Sequence, residues 1–384
     1  MSQPASRPAT GAFRVVIACG GTGGHLFPGL AVAEELKSRG HEVLLIVSEK
    51  AIDSLALQGH PDFRYEKLPS VGMPSPLSPA FLRFLRRTWE SLGHCRSLYR
   101  RYRPAVVLGM GGFTSTAPLL AGRMQKLPTL IHESNAIPGR ANLLAAKFVT
   151  RVLLGFADCR DRFPGRDCAV TGTPVRKDLG HRLPRGEALA KLRLREDAPT
   201  LLVMGGSQGA SGINRALFKA APLLKAGSVQ IIHLTGERDD RLAAANYQRE
   251  NIPHYVAPFH HRMEELYSAA DLVVSRAGAA SLSELSHFGL PSILIPYPFA
   301  ADDHQTANAK IFAAAGAAGI QIESEIVPET FAALASNLLN DPQRREAMAR
   351  AASAILPTAA AANVADEVGR VVEEAARATQ GGGK

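Results

Sequence analysis

The sequence predicts an α/β protein whose sheets are parallel and whose chain folds as two similar units. Three features lead to that expectation. Short β-rich runs alternate with longer helical stretches, the order that lays helices over parallel strands. Several runs are continuously apolar, as in Val15–Ala18, Leu44–Val47 and Leu201–Met204, which suits strands covered on both faces. Each half also opens alike: an apolar strand runs into a glycine cluster and then a helix. The clusters are Gly20-Gly21-Thr22-Gly23-Gly24 in the first half and Gly205-Gly206-Ser207-Gln208-Gly209 in the second. Two Rossmann-like units facing across a cleft fit that layout.

In the first half the expected strands are Phe13–Ala18, Glu42–Val47, Ala105–Leu108, Pro128–Ile131 and Arg151–Leu154. In the second they are Thr200–Met204, Val229–Leu234, His254–Val256, Leu272–Val274 and Ser292–Ile295. A stretch rich in Pro, Gly and charge, TGTPVRKDLGHRLPRGE, puts the boundary between Thr171 and Pro199. The domains are then expected at 13–176 and 177–357. The Ala-rich segment Arg344–Ala376 reads as helix broken near Pro357, and residues 1–12 and 378–384 read as disordered tails.

Composition narrows the class of function. A length of 384 residues matches two domains at roughly 150 residues each. Basic residues exceed acidic ones by 44 − 35 = +9, which leaves nucleic acid, anionic lipid and phosphorylated substrates as partners. Nucleic acid is disfavoured, because the basic residues are not interleaved with an aromatic stacking platform. No run approaches the ~18–20 apolar residues of a membrane span. The N-terminal MSQPASRPATGA lacks the apolar core of a signal peptide, so a cytoplasmic location is expected. Cys19, Cys95, Cys159 and Cys168 form no CxxC or common zinc spacing and are expected as reduced thiols.

Glycines between a strand and a helix turn backbone N–H groups toward the helix N-terminus, where a phosphate can approach. Gly205–Gly209 suits that role, with Ser207 as a hydroxyl donor, although a plain tight turn has the same composition. A dinucleotide fingerprint is disfavoured because Gly21–Leu26 lacks its third glycine. A Walker A loop is excluded, since no Gly-Lys-Ser/Thr follows either cluster. His25 stands at the end of the first strand, where open α/β sheets bind ligands; it can take a proton from a hydroxyl, or merely hold the loop. Further on, Glu284 belongs to a helix starting just after Gly278, and its carboxylate can accept both hydroxyls of a ribose. Asp303, His304, Gln305 and Asn308 form a second polar cluster suited to sugar hydroxyls. Each of these can equally be a solvated loop or a helix cap.

Six motifs in order carry a resemblance: GGTGGHLFPGLAVAEEL, GMGGFTSTAP, IHESNAIPGRAN, TGTPVR, GGSQGA and the block Ser275–Ala309. From about Arg14 to about Arg370 the chain resembles the GT-B glycosyltransferases, and within them the bacterial enzymes that make lipid II. That resemblance implies an inverting transfer of N-acetylglucosamine from UDP-N-acetylglucosamine to undecaprenyl-diphospho-N-acetylmuramoyl-pentapeptide. It implies an acceptor-side glycine loop at Thr22–His25, with His25 as general base and Glu133 as the other candidate. Gly111, Gly112, His132 and Asn142 match further acceptor-side positions. On the donor side, Arg176, Ser207, Glu284 and Gln305 match positions that hold uracil, diphosphate, ribose and sugar. Thr22, Gly23, Gly24, Asn135, Gln208, Gly209 and His260 match additional positions around UDP-N-acetylglucosamine, and Asn214, Arg276 and Asn308 match supporting ones. It further implies that the helix at about 358–376 packs back on the first domain, and that cell-wall-synthesis or division proteins are partners. The chain departs from the family's usual pattern at Ser134 (usually Gln), Thr173 (often Asn) and Phe113 (often Tyr), which removes any phenol-based role at position 113.

A lipid-linked acceptor implies contact with a membrane. Residues 77–103 read as an amphipathic helix on which Phe81, Leu82, Leu85 and Trp89 share a face flanked by Arg83, Arg86 and Arg87. A peripheral site on the cytoplasmic face of the inner membrane is expected. No Asp-x-Asp stands where a metal-dependent transferase needs one; Asp239-Asp240 and Asp302-Asp303 read as solvated turns, so no obligatory metal or cofactor is expected. The competing expectations are another GT-B lipid glycosyltransferase, a UDP-N-acetylglucosamine 2-epimerase, and a nucleotide-binding module without catalysis.

Overall fold

Parallel neighbours must be joined by long crossovers, so helices cover the sheet faces and all strand C-termini gather on one edge. The computed structural model, which describes residues 11–50, 60–69, 78–205, 210–224 and 229–381, obeys that constraint twice. Contacts divide the chain into two units. The first is Met1–Ser134, Pro138–Pro174 and Ala359–Lys384; the second is Asn135–Ile137 and Val175–Thr358.

The first unit holds strands β1 (Arg14–Ala18), β2 (Glu42–Ser48), β3 (Arg64–Leu68), β4 (Val106–Gly109), β5 (Thr129–Glu133), β6 (Arg151–Leu154) and β7 (Cys168–Val170). They form one parallel sheet of order β3-β2-β1-β4-β5-β6-β7. Alternate residues feed two cores. Val15, Ile17, Leu45, Val106 and Leu108 face helix α1 (Gly23–Ser38) and the last helix of the chain. Val16, Ala18, Leu44, Val107 and Ile131 face α2 (Ala80–Tyr102), α3 (Phe113–Met124) and α4 (Arg140–Ala146).

The second unit adds α5 (Arg185–Lys191), β8 (Thr200–Met204), α6 (Ser211–Leu224), β9 (Gln230–Leu234), α7 (Asp240–Arg249), β10 (His254–Ala257), α8 (Met263–Ala269) and β11 (Leu272–Ser275). It continues with α9 (Ala279–Phe288), β12 (Ser292–Leu294), α10 (His304–Ala314), β13 (Ala318–Ile320), α11 (Pro328–Leu339) and α12 (Pro342–Ile355). Its parallel sheet has the order β10-β9-β8-β11-β12-β13. Leu201, Val203, Ile231, Leu272 and Val274 meet α6, α7 and α11 in one continuous core.

Three strands escape the sequence reading: β3, β7 and β13. All are sheet edges whose residues are largely exposed or half-buried: β3 (RYEKL) is mostly polar, and β7 and β13 are only three residues long. The last helix, α13 (Ala360–Gly381), also runs beyond residue 377, where a disordered tail is expected. Its final turns are held by an Arg377–Glu373 pair at 3.4 Å and by the Thr379 hydroxyl donating to the Ala375 carbonyl at 2.9 Å. Val364, Ala365, Val368 and Val371 bury this helix against the first sheet's core. Two arginines clamp it there. Arg39 donates to Asp366 and to the Ala362 carbonyl, while Arg151 donates to Asp167, Glu367 and Glu374.

Arg151 and Glu367 each keep only 10% of their side-chain surface, so removing the guanidinium leaves a nearly buried carboxylate short of a partner. Arg151→Met is expected to cost about 1–3 kcal/mol. In calorimetry that appears as a melting transition lowered by roughly 3–10 °C; an unchanged transition would show that the apolar stripe alone docks the helix.

Candidate active site

In the first sheet the winding reverses between β1 and β4, and in the second between β8 and β11. Strand C-termini at such a switch point are where open α/β sheets bind ligands, and in the first unit His25, Gly111 and Gly112 follow the two strands that flank it.

In the first unit β1 leads through Thr22, the extended N-cap of α1, to His25 in the first helical turn. Just past the end of neighbouring β4 come Gly111 and Gly112, which precede α3 and take φ values of +109° and +71°. A side chain at Gly111 would lie 2.8 Å from His25 Cε1 and 3.3 Å from Asn142 Nδ2. The imidazole therefore rests on a bare backbone, and Asn142 borders the same point. Asn142 Nδ2 donates to Glu133 Oε2 at 2.7 Å and to the His132 carbonyl at 3.1 Å; Gly139 N–H donates to the same Glu133 oxygen at 3.0 Å. The N-termini of α1 and α3 meanwhile present backbone N–H groups suited to an anion. Lys50, just past β2, adds a cation by donating to the Gly21 carbonyl at 2.7 Å.

His132 and Asn142, both expected on the acceptor side, lie in the interior of the first unit. His132 is fully buried, because the alternation along β5 turns it inward. Its Nε2 donates to the Gly172 carbonyl at 2.9 Å and its Nδ1 accepts from Ser134 Oγ at 3.2 Å. Burial pushes its pKa down to about 4, so the ring is neutral at neutral pH and spaces β5 from Gly172. Asn142 is likewise buried and holds Glu133 in place. Ser134, one of the departures from the usual pattern, thus has a defined partner in His132.

In the second unit Glu284 sits midway along α9, half-buried. Burial raises its pKa; the Arg176 charge and a 2.5 Å hydrogen bond from the Tyr267 phenol pull the other way. Arg176 also pairs with Asp178 at 3.5 Å. Gln305, in the first turn of α10, accepts on Oε1 from Tyr297 N–H at 2.9 Å and Ala277 N–H at 3.2 Å. Its amide orientation is thereby set, with the NH2 end left as the donor. Asn308 is fully buried: it donates to Asn135 Oδ1 at 3.1 Å and the Ala277 carbonyl at 3.0 Å, and accepts from Ala136 N–H at 2.9 Å.

Arg276 donates to the carbonyls of Ile295 and Pro296, pairs with Glu323, and lies 5.4 Å from the Tyr297 ring centroid. Its bonds brace the ends of β11 and β12. Asn214 donates to the Thr235 carbonyl at 3.0 Å and Asp239 at 2.7 Å, so Asp239 is a cap for that amide rather than a solvated turn. Its Oδ1 accepts from His233 Nε2 at 3.0 Å, and His233 Nδ1 accepts from the Tyr247 phenol at 2.8 Å. His260 is tied to Tyr255 at 2.9 Å and Glu265 at 3.2 Å. Asp302 and Asp303 take left-handed φ values of 50° and 52° just before α10. Ser207, Gln208 and Gly209 lie outside the described residues. Lys50, His233, Tyr247, Tyr267 and Glu323 carry no sequence signal that separates them from ordinary core or surface residues.

The N-terminal domain profile of glycosyltransferase family 28 matches residues 15–154, and its C-terminal domain profile matches residues 200–368. The chain belongs to glycosyltransferase family 28. Among its relatives, a protein of Geobacter sulfurreducens is 38% identical over 360 residues, covering 92% of this chain and 98% of the relative. One of Halothermothrix orenii is 37% identical over 347 residues, covering 88% and 93%. Both are named UDP-N-acetylglucosamine–N-acetylmuramyl-(pentapeptide) pyrophosphoryl-undecaprenol N-acetylglucosamine transferase. The crystal structure of MurG from Acinetobacter baumannii matches with a TM-score of 0.73 at 29% identity, covering 93% of this chain and 99% of that one. The two parallel sheets are those of the GT-B architecture.

For a family 28 enzyme the geometry at Gly111 makes a specific demand, because only glycine tolerates that φ and leaves room for His25. Gly111→Ala is expected to lower stability by about 1–3 kcal/mol and to reduce kcat by more than tenfold by displacing the imidazole. Steady-state kinetics on folded variant checks this; a kcat within twofold of wild type would show that His25 does not depend on this approach.

Proposed function

We propose that this family 28 chain converts lipid I to lipid II in peptidoglycan synthesis. It transfers N-acetylglucosamine from UDP-N-acetylglucosamine to the 4-hydroxyl of undecaprenyl-diphospho-N-acetylmuramoyl-pentapeptide. The observation that carries the reading is the likeness, along nearly their whole length, to relatives named for that reaction. The residues support it: His25 stands among acceptor-side groups of the first unit, and Arg176, Glu284 and Gln305 form a donor-side set in the second.

The reaction is a displacement at the anomeric carbon. The acceptor oxygen forms the new β-1,4 bond while the bond to UDP breaks, and the hydroxyl proton passes to the base. His25 is the base in this reading. Glu133 is buried and its Oε2 already accepts two hydrogen bonds, so it orients Asn142 and the loop around it. Charge growing on the departing diphosphate is met by backbone N–H groups at a helix N-terminus and by Arg176. These groups supply the positive field without a resident metal.

The lipid acceptor brings the enzyme to the cytoplasmic face of the inner membrane as a peripheral protein. Among the described residues no helix is long and apolar enough to cross a bilayer. Helix α2 instead leaves Leu82 and Trp89 at 73% and 70% exposure, with Leu85 in the same row. Arg83, Arg86 and Arg87 are exposed beside them. Each basic residue near an anionic surface contributes about 1 kcal/mol. Phe81 departs from the expected face: it is half-buried and stacks on Phe84 at 6.0 Å, on the flank of the helix nearer the core.

Incubation with labelled UDP-N-acetylglucosamine and the lipid-linked muramoyl-pentapeptide is expected to give labelled disaccharide lipid. His25→Ala should lower kcat by roughly 10²–10⁴, and exhaustive chelation should leave transfer intact. Full activity in His25→Ala would remove His25 as the base, and loss on chelation that only a divalent ion restores would remove the metal-free reading. In co-sedimentation with vesicles, wild type should bind anionic in preference to neutral lipid, and Leu82→Ser with Trp89→Ser should abolish the binding. Indifference to both lipid charge and substitution would reject the membrane face.

A further inference from the structure

One group in the second unit has a geometry that its neighbours do not explain as packing alone. Tyr267 is almost fully buried on α8, a helix whose residues are all buried. Its ring lies 5.1 Å from that of Phe288, the last residue of the helix that carries Glu284. Its hydroxyl is 3.7 Å from Met204 Sδ at the end of β8 and 2.5 Å from Glu284 Oε2. Groups from β8, α8 and α9 thus fix the phenol, and its one strong partner is a carboxylate at the donor side.

We propose that Tyr267 is a positioning residue for donor recognition, holding one carboxylate oxygen of Glu284 so that the other is left to accept the two vicinal hydroxyls of a nucleoside's ribose. The inference rests on the reading of Glu284 as the ribose-binding group. A carboxylate has lone pairs enough for the phenol and both hydroxyls, but only when it is ionised and held in one rotamer. Burial works against ionisation here, and so does the negative charge of Asp178; the Arg176 guanidinium and the phenol O–H work for it. Burial keeps the phenol itself protonated, so it always donates to Glu284. Without that donor the carboxyl protonates at higher pH and loses acceptor capacity toward the ribose.

Tyr267→Phe keeps the ring and removes only the hydroxyl. Kinetics across pH 5–9, with calorimetric binding of UDP and 2′-deoxy-UDP, is measured for wild type, Tyr267→Phe and Glu284→Gln. Tyr267→Phe is expected to raise KM for UDP-N-acetylglucosamine about tenfold, the size of one hydrogen bond to a charged group, with kcat changed less than threefold. The acidic fall of kcat/KM should move to higher pH, and the preference for UDP over 2′-deoxy-UDP should shrink. If Phe lowers the melting midpoint, 3-fluorotyrosine at position 267 serves instead: a more acidic phenol donates better and should move the acidic fall to lower pH. A wild-type KM and pH profile in Tyr267→Phe, alongside weakened UDP binding in Glu284→Gln, overturns the role of Tyr267 and leaves the ribose reading standing. Wild-type binding of both nucleotides by Glu284→Gln overturns the ribose reading, and with it this inference.

Discussion

The site depends on where a parallel sheet lets helices begin. Each crossover returns the chain to the same edge, so every strand delivers its next residues to one rim. Along most of that rim neighbouring connections lie on the same side and crowd one another. Only where the strand order turns back do two connections diverge, between β1 and β4 in one sheet and β8 and β11 in the other. The glycine cluster after β1 and the Gly111–Gly112 pair after β4 stand at the first of those places. Their lack of side chains lets backbone N–H groups, an imidazole and an amide share a space that a single Cβ at Gly111 would fill.

That same constraint explains how much was legible in the sequence. Strands buried on both faces are largely apolar, so the runs VVIA in β1, LLIV in β2 and LLVM in β8 declare themselves. An edge strand needs only one partner and one covered face, and RYEKL in β3 and AGI in β13 carry no such mark. Loop glycines and the polar residues beside them were legible for a similar reason, since helices and strands otherwise exclude such clusters. The bracing residues were not. Tyr267 and Tyr247 look like core aromatics, and only the distance from a hydroxyl to Glu284 or to His233 separates them from ordinary packing.

The surplus of positive charge divides by what surrounds it. Arg39, Arg151, Arg185 and Arg276 are spent inside their own units, each pairing with a carboxylate while also bridging backbone or several acids. They hold helices and strand ends and contribute little field to a partner. Arg83, Arg86 and Arg87 are exposed on one helix beside Leu82, Leu85 and Trp89, and among the described residues Arg86 pairs with Glu90 at 3.3 Å. A net charge of +9 is thus a poor guide by itself; burial separates structural arginines from those that face outward.

Burial also sorts the histidines, which composition treats as equivalent. His132 at the end of β5 and His233 within β9 are fully buried, and each is a two-ended spacer with its tautomer set by its partners. A carbonyl at Gly172, and the Asn214 Oδ1 whose own NH2 is engaged elsewhere, can only accept, so Nε2 carries the proton in both. Burial pushes them down to about 4 and about 3, so neither changes charge at neutral pH. The unfolded chain binds those protons from about pH 6.5 downward, so both histidines withdraw stability as pH falls below that value and continue to do so until the folded groups titrate. His25 is held differently, half-buried on glycine backbone at a helix start with the rim of the sheet before it. Proton transfer needs a ring that reaches its substrate, and of these three imidazoles only His25 has surface to offer.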